Sequence, residues 1–187
     1  LVHARLAIGA RPGEPMSTLL VGEILELQKR NGEALALYDG IDGQTPYDAA
    51  ILLRRARNLD QQEKTDEAVR RLEEFVATKP DAAVEALQAL GHILRGRERF
   101  TEAVDAYDRA IALAEPVAPH RWSLFYSRGI SLERSKQWDR ARVDLQKALE
   151  LSPDQPYVLN YLGYSWIDRG DNLAEAEKLI RRAVELR

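Results

Sequence analysis

Residues 122–155 read WSLFYSRGISLERSKQWDRARVDLQKALELSPDQ, and residues 84–117 read VEALQALGHILRGRERFTEAVDAYDRAIALAEPV. Laid one over the other, both carry glycine at the eighth place (Gly129, Gly91) and an aromatic at the seventeenth (Trp138, Phe100). Both also carry alanine at the twentieth and twenty-seventh places (Ala141 and Ala148, Ala103 and Ala110). The same 34-residue frame places Ala56, Ala68, Leu72 and Pro80 at corresponding positions of 49–82, and Gly22, Ala34, Tyr38 and Pro46 in 15–48. Residues 156–187 form a fifth copy with Gly163 again eighth, and Ala176 and Ala183 displaced by one residue inserted near GDNL. A constant phase over five copies is the signature of a repeat architecture, in which each unit buries its apolar face against its neighbours.

Each copy reads as two helices. In 122–135 the apolar residues Phe125 and Leu132 fall at helical spacing, as do Ala141, Leu145, Ala148 and Leu149 in 138–151. A polar turn such as SKQ separates the two, and SPDQP closes the unit with prolines that cannot continue a helix. Gly163 then poses a physical question, because glycine inside a helix costs about 1 kcal/mol relative to alanine. The cost is offset if the eighth place is where a partner helix crosses, since a side chain there would hold two axes beyond the ~8–10 Å of close packing. The rings of Tyr161, Tyr164 and Trp166 are expected to fill the space beside that crossing.

Composition sets the outer bounds. The 187 residues are 45% hydrophobic and 30% charged, too apolar for a disordered chain and enough for one domain or a short array. The formal net charge is −3, with 27 basic and 30 acidic residues interspersed, which disfavours nucleic acid and anionic membranes as partners. Cysteine is absent, which removes disulfides and thiolate metal sites and leaves the redox compartment open. No run of 18 apolar residues exists, so membrane insertion is not expected. Leu1 is not preceded by a basic segment and an apolar run, and the chain reads as an excised piece of a longer one.

The pattern resembles the tetratricopeptide repeat, whose signature sets a bulky residue, Leu, Gly, Tyr, Ala, Phe, Ala and Pro at fixed places. Residues 122–155 match it best, through Phe125, Gly129, Leu132, Trp138, Ala141, Leu145, Ala148 and Pro153. The resemblance implies an all-α fold, a right-handed superhelical solenoid of antiparallel helix hairpins. Its expected organisation is repeats at 15–48, 49–82, 84–117, 122–155 and 156–187, an inter-repeat insertion at 118–121, and at 1–14 the second helix of a preceding repeat plus a turn. Arg55 and Arg128 depart from the signature where leucine is usual, and Ile41 and Phe75 replace the last alanine. Repeat arrays need polar caps, so apolar residues at an uncapped end, including some of Leu179, Ile180 and Val184, are expected to be exposed and to allow self-association.

No catalytic residue, metal ligand or cofactor site is expected. His3, His92 and His120 lie in different repeats, and HExxH, a glycine-rich phosphate loop and Gly-x-Ser-x-Gly are all missing. Acidic pairs such as Glu73–Glu74 and Asp66–Glu67 read as solvated helix faces. The resemblance instead implies binding of a protein or peptide in a concave groove lined by the second, fifth, ninth, twelfth and thirteenth places of each repeat. On this chain those places present Glu23 and Glu26, then Leu53 and Arg57, then Gln88, His92 and Arg95, then Tyr126, Ile130 and Arg134, then Tyr157, Asn160 and Tyr164. Tyrosine and arginine are enriched at binding hot spots, which singles out the patch around Tyr126, Tyr157, Asn160 and Tyr164. The alternative for these rings is packing between adjacent repeats.

The lysine and asparagine clamp by which chaperone-binding members of the family hold a C-terminal carboxylate is missing, because no repeat has lysine at its fifth place. The closing LNYLGYSWIDRGDNLAEAEKLIRRAVEL is similar to large tetratricopeptide proteins of Gram-negative bacteria, some of them lipoproteins or secreted scaffolds. Two functions are therefore expected. One is an adaptor, with the bacterial cell envelope preferred over the cytoplasm as its place. The other is a regulatory or scaffolding segment of a longer enzyme whose catalytic domain lies elsewhere.

Overall fold

A computed structural model describes residues 14–41 and 45–186. His3 and the helix expected at its side lie outside the described residues. The described residues form ten α-helices and no strand: α1 (Pro15–Leu27), α2 (Asn31–Asp39), α3 (Asp48–Gln61), α4 (Thr65–Thr78), α5 (Ala83–Gly96), α6 (Phe100–Leu113), α7 (Trp122–Arg134), α8 (Trp138–Leu151), α9 (Pro156–Arg169) and α10 (Leu173–Glu185). Single 3-10 turns, Pro80–Ala82 and Pro119–Arg121, lead into α5 and α7. The chain divides into two compact units, Leu1–Ile93 and Leu94–Arg187. In the first, α1 packs on α2, α2 on α3, and α3 on α4; in the second, α6 packs on α7, α7 on α8, α8 on α9, and α9 on α10.

The turn inside each hairpin is closed in the same way. Lys29, Glu63, Glu98 and Lys136 have φ of +59°, +64°, +59° and +65°, and Gly170 has +71°. The next residue's N–H then donates back across the turn: Arg30 to Leu25, Lys64 to Leu59, Arg99 to Leu94, Gln137 to Leu132 and Asp171 to Trp166, each 2.8–2.9 Å to the carbonyl oxygen. This is the 6→1 bond of a Schellman motif, which satisfies a carbonyl that the helix end leaves orphaned. Only the last hairpin puts glycine at the left-handed position. It is also the one with the inserted residue: Asn172 follows at φ +45° and α10 starts three residues after Gly170, where the other second helices start two after theirs.

The small residues sit at the crossings. Ala34, Ala68, Ala103, Ala141 and Ala176 are all fully buried, as are Ala110 and Ala148. A Cβ on Gly163 would lie 2.7 Å from Ile180 Cγ1 and 3.1 Å from the Ala176 carbonyl oxygen, so α9 meets α10 backbone to backbone there. On Gly129 it would lie 3.1 Å from Leu145 Cγ and 3.3 Å from the Ala141 oxygen. At Gly22 the occupant is the ring of Tyr38, whose hydroxyl donates to Glu26 at 2.9 Å. In the first unit this ring packs into a core of Val21, Leu25, Ala34, Ile41 and Ile51. Of the rings flanking Gly163, Trp166 is buried and Tyr161 half-buried, but Tyr164 is 52% exposed, because its place on α9 points away from α10. Val184 is exposed as expected, while Leu179 and Ile180 are half-buried.

The two arginines at leucine places are held by acids. Arg128 on α7 donates to both carboxylate oxygens of Asp144 on α8, at 2.6 and 2.7 Å, and to Asp108 on α6 at 2.6 Å. Arg55 on α3 pairs with Asp39 at the end of α2, 3.1 Å away, and donates to the carbonyl oxygen of Tyr38. Asp39 and Asp108 occupy the same place in their hairpins, so each arginine reaches back to the second helix before it. A bidentate guanidinium–carboxylate pair replaces apolar contact and adds a fixed angle.

Two expectations follow for stability. Gly163→Val should lower stability by about 1–3 kcal/mol through overpacking, whereas Gly32→Ala in α2, where nothing lies within 4 Å of the added Cβ, should leave it unchanged or raise it; thermal melts of the two variants check this. Asp144→Ala, which leaves the Arg128 guanidinium paired only with the more exposed Asp108, should cost up to about 3–5 kcal/mol, while Arg128→Met with Asp144→Leu should recover most of the loss, as read by urea unfolding.

Candidate functional site

Two recesses are lined by the helices that open the hairpins, one in each unit. In the first unit, α3 and α5 enclose about 270 Å³ between Leu53, Arg57, Glu85, Gln88, Ala89, His92 and Ile93. Leu53, Arg57, Gln88 and His92 are among the positions expected on the groove side. Arg57 and His92 are exposed and Gln88 half-buried, so the recess has an apolar floor and a polar rim.

In the second unit, α7 and α9 enclose about 440 Å³ between Glu133, Asn160, Tyr161, Tyr164, Ser165, Asp168 and Arg169. Asn160 and Tyr164 were expected on this side; Glu133 and Asp168 were not named. The signal for them was present, since Glu133 is twelfth in its repeat and Asp168 thirteenth, both groove places by the same rule. Tyr157 lies one turn before Asn160 on the same face of α9, 63% exposed. Its ring and that of Tyr164 are therefore open to solvent.

Other residues expected on the groove side are drawn into internal contacts. Tyr126 is half-buried, its ring 5.9 Å from both Trp122 and Tyr161, edge-on to the latter. It is thus packing between α7 and α9 as much as surface. Arg134 lies over the Phe100 ring at 5.2 Å, and Arg169 over Trp138 at 4.3 Å. Arg95 is half-buried beside Tyr107, and its charge favours ionisation of that phenol. The acids expected to line the groove in the first repeat are spent within the unit: Arg54 reaches Glu23 at 2.8 Å and Glu26 at 2.5 Å, and Glu26 also accepts from Asn58 at 2.7 Å. Ile130 is half-buried on α7.

The described residues contain no group of three or more His, Cys, Asp or Glu able to hold a metal ion, and no helix among them is long and apolar enough to cross a membrane. The tyrosines carry the clearest perturbations. Burial pushes the Tyr107 phenol up to about 12 against the pull of Arg95. Burial and then the Glu133 carboxylate raise Tyr161, and burial followed by the bond to Glu26 raises Tyr38.

Sequence comparison assigns these hairpins. Tetratricopeptide repeat families match residues 53–118 and again 122–155, together more than half of the chain. The chain belongs to the tetratricopeptide repeat family. At that level of description it is a protein-interaction scaffold. It is 26% identical over 166 residues to the TPR repeat-containing protein PA4667 of Pseudomonas aeruginosa, covering 89% of this chain and 27% of that protein. It is 30% identical over 105 residues to the E3 ubiquitin-protein ligase CHIP of Arabidopsis thaliana, covering 56% of this chain and 36% of the ligase. The chain therefore spans about a quarter to a third of the length of these relatives. Among solved structures it shares its fold with MamA, at a TM-score of 0.69 and 21% identity over 89% of this chain and 94% of MamA.

A phenol that keeps its proton longer in the folded state than in the unfolded one, where it titrates near pH 10, makes the unfolded state bind fewer protons at alkaline pH. Stability should thus be constant up to about pH 10 and fall as the pH approaches 12. Tyr107→Phe should make this fall shallower, measured as melting temperature against pH, and should remove a phenolate step near pH 12 from the absorbance titration.

Proposed function

We propose that the chain holds a peptide segment of a partner protein on the groove-side faces of its hairpins, and that the face of α9 bearing Tyr157, Asn160 and Tyr164 is a principal contact. The observation that carries this reading is the exposure of Tyr157 and Tyr164, at 63% and 52%, on one helix face. Neither ring is needed for the crossings at Gly163, and each offers a large apolar face with a polar tip, the combination enriched at binding hot spots. The recess of Leu53, Arg57, Gln88 and His92 is a second contact area, belonging to the first unit. The balanced charge favours a protein ligand over nucleic acid, and the scaffold performs no reaction of its own.

A second reading has support from a relative. The Arabidopsis ligase is an enzyme of which the matched stretch is about a third, so this chain also fits the part of a longer enzyme that recruits a substrate or regulator. The docking chemistry is the same in both readings.

Tyr157→Ala combined with Tyr164→Ala should weaken capture of a selected peptide by about 2 kcal/mol or more, read by fluorescence anisotropy, with the melting temperature within about 2 °C of the parent. Undiminished affinity would remove this face from the binding surface.

A further inference from the structure

We infer that the recess between α7 and α9 is a subsite for a basic side chain, arginine or lysine, of the bound peptide. This inference rests on the groove reading above and specifies what that groove selects. The recess measures about 440 Å³, within the size range of small-ligand sites, and is ample for one side chain. Two carboxylates border it, Glu133 from α7 and Asp168 from α9, and Tyr164 stands beside them as a wall.

The charge balance favours an incoming cation. Among the described residues Asp168 forms no ion pair, and the Glu133 carboxylate accepts a single side-chain hydrogen bond, from the neutral Tyr161 hydroxyl at 3.2 Å. One cation borders the recess, Arg169, and its guanidinium is stacked 4.3 Å from the Trp138 ring centroid. Arg134, next to Glu133 in sequence, is likewise drawn onto Phe100. Both guanidiniums keep their charge but are held on aromatic faces, and the residues that line the recess carry two carboxylates against one guanidinium. A guanidinium or ammonium entering here meets carboxylates on two helices and the face of a tyrosine, which attracts cations through its quadrupole. An acidic side chain would meet repulsion from Glu133 and Asp168, so the selectivity runs opposite to that of a carboxylate clamp.

The test is panning of a random dodecamer phage library on the whole 187-residue chain, followed by anisotropy with synthetic copies of the selected peptides. An arginine or lysine should recur at one place, and replacing it by methionine should weaken binding about tenfold. On the chain with Glu133→Gln and Asp168→Asn the basic and methionine peptides should bind alike. Both substitutions keep the side-chain shape, Glu133→Gln keeps the acceptor for Tyr161, and an unchanged melting temperature confirms an intact fold. The preference should also shrink as salt is raised. Selected peptides that depend on Tyr157 and Tyr164 yet lack a basic residue, or a preference that survives the double substitution, would overturn the inference while leaving the groove reading in place. Failure to select any peptide that depends on those tyrosines would overturn both.

Discussion

The structure depends on how closely two helix axes can approach. Where Gly163 faces Ala176 and Gly129 faces Ala141, only a hydrogen or a methyl group stands between backbones, and larger side chains are displaced to either side of the crossing. Ridges of leucine and aromatic residues can then interlock around a common centre. The cost in helix propensity is about 1 kcal/mol per glycine, and it is offset by apolar area that the closer approach buries, at about 25 cal/mol per Å². Since the small residues recur at a fixed phase, the same hairpin is rebuilt in each copy.

That constraint also sorts the surface. Residues of the opening helices that face their partner are fixed by packing, so variation is available only on the other side. There the chain places Arg57, His92, Tyr157 and Tyr164, none of which occupies a crossing. The scaffold and the proposed recognition surface are thus separable on the same helices. Arg55 and Arg128 show the limit of this separation. They replace leucine within the packed face and are tolerated because Asp39, Asp108 and Asp144 neutralise them with directed hydrogen bonds. Such pairs fix geometry more than they add stability.

Much of the fold was legible in the sequence because a helical repeat writes its contacts locally. The periodicity of Phe125, Leu132, Leu145 and Ala148, the breaks at SKQ and SPDQP, and the recurrent glycine and alanine are each consequences of one hairpin, readable within one copy and confirmed by its recurrence. The recess between α7 and α9 was legible only in part. The phase rule that named Asn160 and Tyr164 also reaches Glu133 and Asp168, but those acids resemble ordinary solvated helix residues until a recess is seen between them. Glu23 and Glu26 were read as groove acids; the structure adds that Arg54 pairs with both and that Asn58 and Tyr38 donate to Glu26.

The sequence by itself determined the helices, their pairing, the positions of close approach and the family, because all of these follow from residue size and polarity at fixed spacing. Only the tertiary structure decided which charged and aromatic side chains remain available to a ligand. Whether an arginine stacks on Trp138, reaches a carboxylate on a neighbouring helix or faces solvent depends on competition among groups that are distant in the chain, and their separations exist only once the hairpins are packed.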